Sequence, residues 1–267
     1  MADVKERSQK ILGNAGVASR RQIEEMIQQG RVTVNGKVVT QPPILIDPER
    51  DKVKVDDELV KLSAPQRAGR VYFLLNKPRG VYSTNVAQGE QKRAIDLLPP
   101  GIPRVYPVGR LDAESRGLLL LTNDGELTNQ LTHPSYGVAK TYRAVVDGYI
   151  APDQVEQLLK GIWLADPKKG TGFKTGRTRI KIVKRGRQMS ILEITIREGR
   201  NRQVRRMLAR VGHKVRELTR IKMGPLTIEG LAPGKHRQLT PRELQALKRL
   251  AKPKTDGDSK PTQRRPS

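Results

Sequence analysis

Asp112 is the residue best placed to carry chemistry. It follows the run 105–111, which we predict as a strand, and precedes the wholly apolar run Leu118 to Leu121. Its carboxylate should therefore lie at the edge of the core, among apolar and cationic side chains. A carboxylate in such a place can act as a nucleophile or a base. An aspartate between two strands can also be a simple turn residue, and the residue type alone leaves both interpretations open.

A basic helix is predicted over residues 201–211. Its apolar stripe consists of Val204, Met207, Leu208 and Val211, which should face the core. Arg205 lies at the border of this stripe, where its guanidinium could turn inward and pair with a buried carboxylate. The opposite face, which RNA phosphates could contact, carries Arg202, Arg206 and Arg210.

Tyr142 lies within a strand predicted over residues 140–147. A tyrosine in a strand is most often a core aromatic residue whose hydroxyl is hydrogen-bonded. The chain has six tyrosines and two phenylalanines. This scarcity argues against a generic binder of single-stranded RNA, because such a protein needs a row of aromatic platforms.

The composition favours a polyanionic partner. The 267 residues include 52 lysines and arginines against 27 aspartates and glutamates, a net charge of +25. Nucleic acid is the first candidate. A membrane surface is the alternative, but no apolar run approaches the roughly 18 to 20 residues of a membrane span, and there is no secretory signal.

Several kinds of site are excluded or disfavoured. Without cysteine there can be no disulfide or thiolate chemistry, and the composition fits a reducing cytoplasm. His133, His213 and His236 have no metal-ligand spacing, so we expect no metal site. There is no GxxxxGK[ST] loop, and the stretch Gly170-Thr171-Gly172 misses the dinucleotide-binding spacing, so we predict a loop there. No cofactor is implied.

The elements divide into two groups. In residues 4–62 we predict two helices, the second with a capping box at Ser19 and Gln22, and then a hairpin turning at Asn35-Gly36. Residues 63–69 lack periodicity and are predicted as a linker. From residue 70 to 251 strands outnumber helices without alternating regularly, which indicates an α+β fold. Residues 252–267 are predicted to be a disordered basic tail.

The first group of elements carries a candidate phosphate site. Arg20 and Arg21 lie in the first turn of the second helix, where a bound anion would relieve their repulsion from the helix dipole. Arg31 and Lys37 could extend this patch. The alternative is that these are ordinary solvated charges.

Four motifs resemble known families. The stretch QKILGNAGVASRRQIEEMIQQGRVTVNGKVV, within residues 5–62, resembles the S4 RNA-binding domain. The stretch VGRLDAESRGLLLLTNDGELTNQLTHP, residues 108–134, is similar to the catalytic motif of the RsuA/RluB family of pseudouridine synthases. Two further signatures of that family are matched by KTYRAVV, residues 140–146, and REGRNRQVRRMLARVG, residues 197–212.

This resemblance implies roles for individual residues. Asp112 would be the catalytic aspartate, Tyr142 would pack on the uracil ring, and Arg205 would form a salt bridge with the aspartate. Arg110 would fill the space left by the flipped uridine, although a surface phosphate contact is the alternative. Many relatives outside this subfamily have histidine where this chain has Asn201 or Arg202, so the resemblance itself implies no particular role for these two. The expected RNA-binding residues are Arg20, Arg21, Arg31, Lys37, Arg110, Arg200, Arg202, Arg206 and Arg210.

The implied reaction is the isomerisation of uridine to pseudouridine. The N1–C1′ bond breaks, the uracil rotates, and C5 joins C1′, with no cofactor. The target nucleotide must leave its stack to be reached. Asp112 could attack C1′, add to C6 or take a proton from the sugar.

The family also implies a fold and a substrate. We expect a long, mixed but mostly antiparallel sheet with flanking helices and the active site in a central cleft. The stretch LTNDGELTNQLTHP is closer to the large-subunit RluB type than to the small-subunit RsuA type. We therefore expect 23S rRNA or a large-subunit precursor as substrate, and a monomer. The rival functions are a non-catalytic ribosome-assembly protein and an RNA methyltransferase; the latter lacks a glycine-rich cofactor loop.

Overall fold

The computed structural model describes residues 5–62, 69–166 and 170–250. The chain divides into two compact units, Met1–Arg70 and Val71–Ser267. Residues 63–68 of the predicted linker and the predicted tail at 252–267 lie outside the described residues. The two units are taken in turn.

The first unit packs two helices against short strands. The helices are α1 (Ser8–Asn14) and α2 (Arg20–Gln28), and the strands are β1 (Glu6–Arg7), β2 (Val32–Val34), β3 (Lys37–Val39), β4 (Leu45–Ile46), β5 (Val53–Val55) and β6 (Glu58–Leu59). The sheet order is β3-β2-β5-β6, while β1 pairs with β4. The capping box at Ser19 and Gln22 is confirmed. The hairpin turn is also confirmed, with Asn35 and Gly36 both at positive φ.

The second unit is built on a sheet of nine strands within the described residues. The strands are β7 (Tyr72–Lys77), β8 (Tyr106–Pro107), β9 (Arg116–Thr122), β10 (Lys140–Asp147), β13 (Arg179–Lys184), β14 (Met189–Ile196), β15 (Val215–Met223), β16 (Leu226–Thr227) and β17 (His236–Gln238). Their order is β13-β14-β10-β15-β9-β7-β17, with β16 paired to β15 and β8 paired to β9. A separate hairpin joins β11 (Trp163–Asp166) to β12 (Thr171–Lys174), and the helices are α3 (Gly125–Thr132), α4 (Pro152–Lys160), α5 (Gln203–Arg210) and α6 (Pro241–Leu250). Since β9 and β15 run parallel and the other pairs antiparallel, the predicted α+β fold with a mixed, mostly antiparallel sheet is confirmed.

The central strands are apolar on both faces because both faces are covered. Leu119 and Leu121 of β9 join a core that includes Val204, Met207 and Leu208 of α5. Alternate residues of β9 belong to a second core that includes residues of α3 and α6. Successive side chains of a strand point to opposite faces, so a strand buried on both sides needs an uninterrupted apolar run. The four consecutive leucines of β9 meet that requirement.

Three predicted elements need correction. The strand predicted over 105–111 is only Tyr106–Pro107, because Gly109 adopts a positive φ of 70° that turns the chain out of the sheet. Asp112 therefore lies in a loop rather than at a strand end. Thr171 and Gly172, predicted as loop, belong to β12. Helix α5 begins at Gln203 rather than at 201, because Arg202 has a φ of 48°, outside the helical region.

No helix among the described residues is both long and apolar enough to span a membrane.

Candidate active site

Asp112 lies in the loop that connects β8 to β9, four residues before β9 begins at Arg116. Its side chain is 33% exposed, so the carboxylate borders the core and still reaches solvent. The backbone carbonyl of Asp112 accepts a hydrogen bond from the amide of Ser115 at 2.9 Å, which closes the turn. This position suits a reactive carboxylate, because the side chain is held at the border of the core and stays accessible to a substrate.

The segment that follows β7 holds this loop on both sides of Asp112. On one side, Ser83 Oγ donates to the carbonyl of Leu111 at 3.0 Å and accepts from its amide at 3.2 Å. On the other side, the amide of Gly80 donates to the carbonyl of Ala113 at 2.8 Å. Ser83 and Leu111 are buried, so these bonds are shielded from water. Both neighbours of Asp112 are thus fixed, which limits where its side chain can lie.

Two arginines of the α5 region approach the loop. Arg202 Nη1 lies 3.8 Å from Asp112 Oδ2, and Arg202 Nη2 lies 3.3 Å from Glu114 Oε2. Arg205 is 12% exposed and lies 3.9 Å from Glu114. The expected salt bridge between Arg205 and Asp112 is therefore absent from the described residues, and Arg202 occupies that place. Arg202 precedes α5 and has a left-handed backbone, so the helical wheel that placed it on the outer face does not apply to it.

Arg205 nevertheless belongs to the surroundings of Asp112. Its Nη1 donates to the carbonyl of Val215 at 3.1 Å, while its buried Nε has no hydrogen-bond partner in the described part of the chain. Burial lowers the pKa of Arg205, and the charges of Glu114 and Asp112 oppose that shift. A guanidinium that is desolvated and only partly bonded costs stability.

Lys77 and Arg220 are buried cations that sequence analysis missed. Lys77, at the end of β7, donates its Nζ to the carbonyls of Val81 and Pro78 at 2.7 and 3.0 Å. Burial lowers the pKa of Lys77 to about 8, with Asp112 opposing and Arg220 adding to the shift. Arg220 donates its Nε to the carbonyl of Leu118 at 2.7 Å. The available signal was a lysine at the end of a largely apolar strand, followed by Pro78 and Gly80.

Tyr142 lies at the centre of the sheet. It is buried in the same core as the apolar stripe of α5. Its cross-strand neighbour on β15 is Arg220, and the parallel neighbour of Arg220 on β9 is Gly117. Tyr142 on β10 is therefore separated by a single strand, β15, from β9, the strand that Asp112 precedes. Arg110, two residues before Asp112, is exposed.

The outer face of α5 is partly covered, contrary to the wheel prediction. Arg206 is only half-exposed, and it donates a hydrogen bond to the carbonyl of Ala165 on the hairpin β11–β12. The guanidinium of Arg200 lies 3.9 Å from the centroid of the Phe173 ring, and that of Arg206 lies 5.8 Å away. The hairpin was not predicted, so its cover on this side of the helix was missed. Arg210 is exposed.

The predicted phosphate patch of the first unit contains one paired arginine. Arg31 forms a bidentate salt bridge with Asp56, with Nε to Oδ1 at 2.7 Å and Nη2 to Oδ2 at 2.5 Å. This pairing raises the pKa of Arg31 and lowers that of Asp56. Arg20, Arg21 and Lys37 are exposed. An anion would therefore meet the first-turn arginines of α2 more readily than Arg31.

Taken together, the second unit holds an anchored aspartate among cations just before the central strand β9, an arrangement that suits an enzyme acting on a polyanion. Family models agree with this. Residues 71–210 match RNA pseudouridylate synthase, and residues 9–59 match the S4 domain. The chain belongs to the RNA pseudouridylate synthase family, whose members isomerise uridine in RNA.

Individual relatives match nearly the whole chain. It is 43% identical over 246 residues to ribosomal large subunit pseudouridine synthase B of Bacillus subtilis, covering 92% of this chain and 97% of that protein. It is 44% identical to an RNA pseudouridine synthase of Aquifex aeolicus, covering 90% and 93% respectively. A crystal structure of a pseudouridylate synthase, 31% identical, superposes with a TM-score of 0.64 over 90% of this chain and 99% of that one.

Replacing Arg205 should separate function from stability. We expect Arg205→Met to keep the melting temperature within a few degrees of the wild type, since an apolar side chain replaces a desolvated, partly bonded guanidinium. Turnover should fall about tenfold or more, because a cation near Asp112 is lost. The measurements are thermal unfolding and single-turnover pseudouridine formation. A large loss of stability with unchanged turnover would show that Arg205 is purely structural.

Arg202→Asn is the matched variant. Asparagine tolerates the left-handed backbone, so the change removes the guanidinium that contacts Asp112 and adds little backbone strain. If Arg202 positions the carboxylate, this variant loses more turnover than Arg205→Met. If Arg205 is the partner in the RNA-bound enzyme, as the family resemblance predicts, the order is reversed.

Proposed function

We propose that this chain isomerises a specific uridine of large-subunit ribosomal RNA, with Asp112 as the catalytic carboxylate. The observation that carries this proposal is the anchoring of the Asp112 loop from both sides, which holds a half-exposed carboxylate beside Arg202 and close to Lys77. The membership of the family supports the reaction. The relative named as a large-subunit enzyme supports the substrate.

In this proposal each residue has a defined task. Asp112 starts the rearrangement of the flipped nucleotide: the N1–C1′ bond breaks, C5 bonds to C1′, and the hydrogen displaced from C5 is balanced by one gained at N1. Tyr142 packs on the uracil ring from the sheet. Arg110 supports the RNA at the place that the uridine leaves. The cations Arg202, Arg205 and Lys77 surround the carboxylate with positive charge.

The remaining basic residues would hold the RNA by its phosphates. The chain's net charge of +25 supports this role. In the first unit we assign it to Arg20, Arg21 and Lys37, and in the second to Arg200, Arg206 and Arg210. Arg31 contributes less, because Asp56 already neutralises it. A cytoplasmic location and a monomeric state stay predictions of the sequence, and light scattering tests the second.

The substrate is tested by comparing the two large ribosomal RNAs. The purified chain is incubated with unmodified 23S and 16S transcripts separately, and pseudouridine is measured in nucleoside digests. We expect pseudouridine in the 23S transcript, approaching one per molecule, and none above background in the 16S transcript. Modification of the 16S transcript alone would contradict the large-subunit assignment.

The S4 module should account for part of the salt dependence of RNA binding. Log affinity falls with log salt by about 0.7 to 0.9 per phosphate contact. We expect deletion of residues 1–62 to make this slope shallower and to leave slow activity on a short RNA. Filter binding across a salt series measures this slope for the full chain and for the deletion.

Two single variants sharpen this test. Arg21→Gln should reduce the slope by about one contact, whereas Arg31→Gln should change it less because Arg31 is paired with Asp56. Equal slopes for the deletion and the full chain would show that the module does not contact RNA phosphates.

A further inference from the structure

Trp163 is the single tryptophan of the chain and one of its most exposed large apolar residues, with 64% of its surface exposed. It begins β11 on the β11–β12 hairpin. A Cβ atom built on Gly172 would lie 3.1 Å from indole Cε3 and 3.2 Å from Cζ3. The indole therefore lies close to the Gly172 backbone, and most of its surface is open to solvent. This is the arrangement of a stacking platform.

A groove runs beside this platform. It is lined by Trp163, Leu164, Ala165, Gly170, Thr171, Gly172, Arg206, Ala209 and Arg210, and its volume is about 740 Å³. Two of these residues are cationic, and among the described residues that line it none is acidic. Arg206 is fixed there by its hydrogen bond to Ala165 and its contact with Phe173. The groove thus combines an aromatic surface with held positive charge.

We propose that this groove binds a nucleobase of the RNA substrate, at a site separate from that of the target uridine. The base stacks on the open face of Trp163, and Arg206 and Arg210 contact the neighbouring phosphates. Charge complementarity argues for RNA as the occupant, because the lining is cationic and the chain carries a net charge of +25. The inference rests on the proposed action on RNA and adds a second point of contact to it.

The surroundings of Asp112 and the groove lie near opposite ends of α5. Arg202, the residue before α5, contacts Asp112, whereas Arg210, the last residue of α5, lines the groove. Eight residues of helix span about 12 Å. A base in the groove would therefore belong to a nucleotide a short way along the RNA from the target. Its contact would fix the register of the strand and contribute to the choice of uridine.

The single tryptophan makes the test specific. The full chain is titrated with a fragment of 23S rRNA while indole emission is recorded. We expect saturable quenching, because a base stacked on the ring quenches its emission. Trp163→Leu should weaken binding about 5- to 150-fold, which corresponds to about 1–3 kcal/mol for one stacked base. Trp163→Phe should restore most of the affinity, since it keeps an aromatic face.

The controls separate stacking from charge and from folding. Trp163→Leu should keep the salt slope and the melting temperature, because an exposed, uncharged side chain is changed, whereas Arg210→Leu should lower the slope by about one contact. Unchanged emission at saturating RNA, or affinity of Trp163→Leu within twofold of the wild type, would overturn the site. Quenching by a ribosomal protein but not by rRNA would overturn it as well. The proposed function fails separately, if the wild type forms no pseudouridine.

Discussion

Asp112→Asn should bind RNA as the wild type does and form no measurable pseudouridine. The amide has nearly the shape of the carboxylate but is neither nucleophilic nor basic. A positioned acid or base contributes about 10²- to 10⁴-fold to a rate, so we expect single-turnover formation to fall at least 10³-fold. Stability should change little, because the contact of Asp112 with Arg202 is long and partly exposed, and such pairs are worth about 1 kcal/mol or less. Nucleoside analysis of digested RNA gives the rate.

Glu114→Gln is the matched control. Glu114 lies in the same loop, contacts Arg202 and Arg205, and is 54% exposed. The variant removes a carboxylate from the same cationic surroundings, so we expect it to retain activity within several-fold. Near-wild-type turnover of Asp112→Asn would refute the assignment. If Glu114→Gln instead loses as much pseudouridine formation as we expect Asp112→Asn to lose, the catalytic carboxylate is Glu114.

Gly117→Ala should prevent stable folding of the second unit. Gly117 has a φ of 104°, and a Cβ atom there would lie 2.3 Å from the carbonyl oxygen of Arg220 and 2.8 Å from its amide nitrogen. These atoms are backbone of β15, where β9 and β15 pair in parallel, so no side-chain movement can relieve the clash. The φ value alone costs an L-residue about 1–3 kcal/mol. With the clash added, we expect a loss above about 4 kcal/mol, at the far end of single-residue effects.

Gly230→Ala is the control for the backbone part of that loss. Gly230 also has a positive φ, of 72°, but a Cβ atom there would meet no heavy atom within 4 Å. We expect this variant to lose about 1 kcal/mol and remain folded. Denaturant unfolding of both variants makes the comparison. Similar stabilities would show that the close approach of the two strands at Gly117 does not constrain the sheet.

The central strands were predictable because burial on both faces leaves a strong signal. Strands with continuous or alternating apolar residues, such as β9 and β10, were placed within two residues of their observed bounds. The hairpin β11–β12 was missed because one face is exposed and carries glycine beneath Trp163, so its apolar pattern is weak. The consequence was an error about Arg206, which a helical wheel places in solvent and the hairpin partly covers.

The sequence predicted the aspartate of the candidate site, but it predicted the cations around that aspartate less well. A helical wheel assumes helical φ angles, and the left-handed backbone of Arg202 breaks that assumption at the residue before α5. Arg202 lies 3.8 Å from Asp112, whereas Arg205, the expected partner, lies 3.9 Å from Glu114. Lys77 was missed because lysine is rarely fully buried, and only the three-dimensional structure shows the carbonyls that accept its hydrogen bonds.

The central claim is that the chain alone isomerises uridine in large-subunit rRNA. The most direct measurement is tritium release from 23S rRNA made with 5-[³H]uridine, because forming the C5–C1′ bond displaces that hydrogen. We predict release by the purified chain without any added cofactor, approaching one tritium per modified uridine, and none with Asp112→Asn. No release would contradict the claim, and so would release that requires a methyl donor, which would indicate a 5-uridine methyltransferase instead.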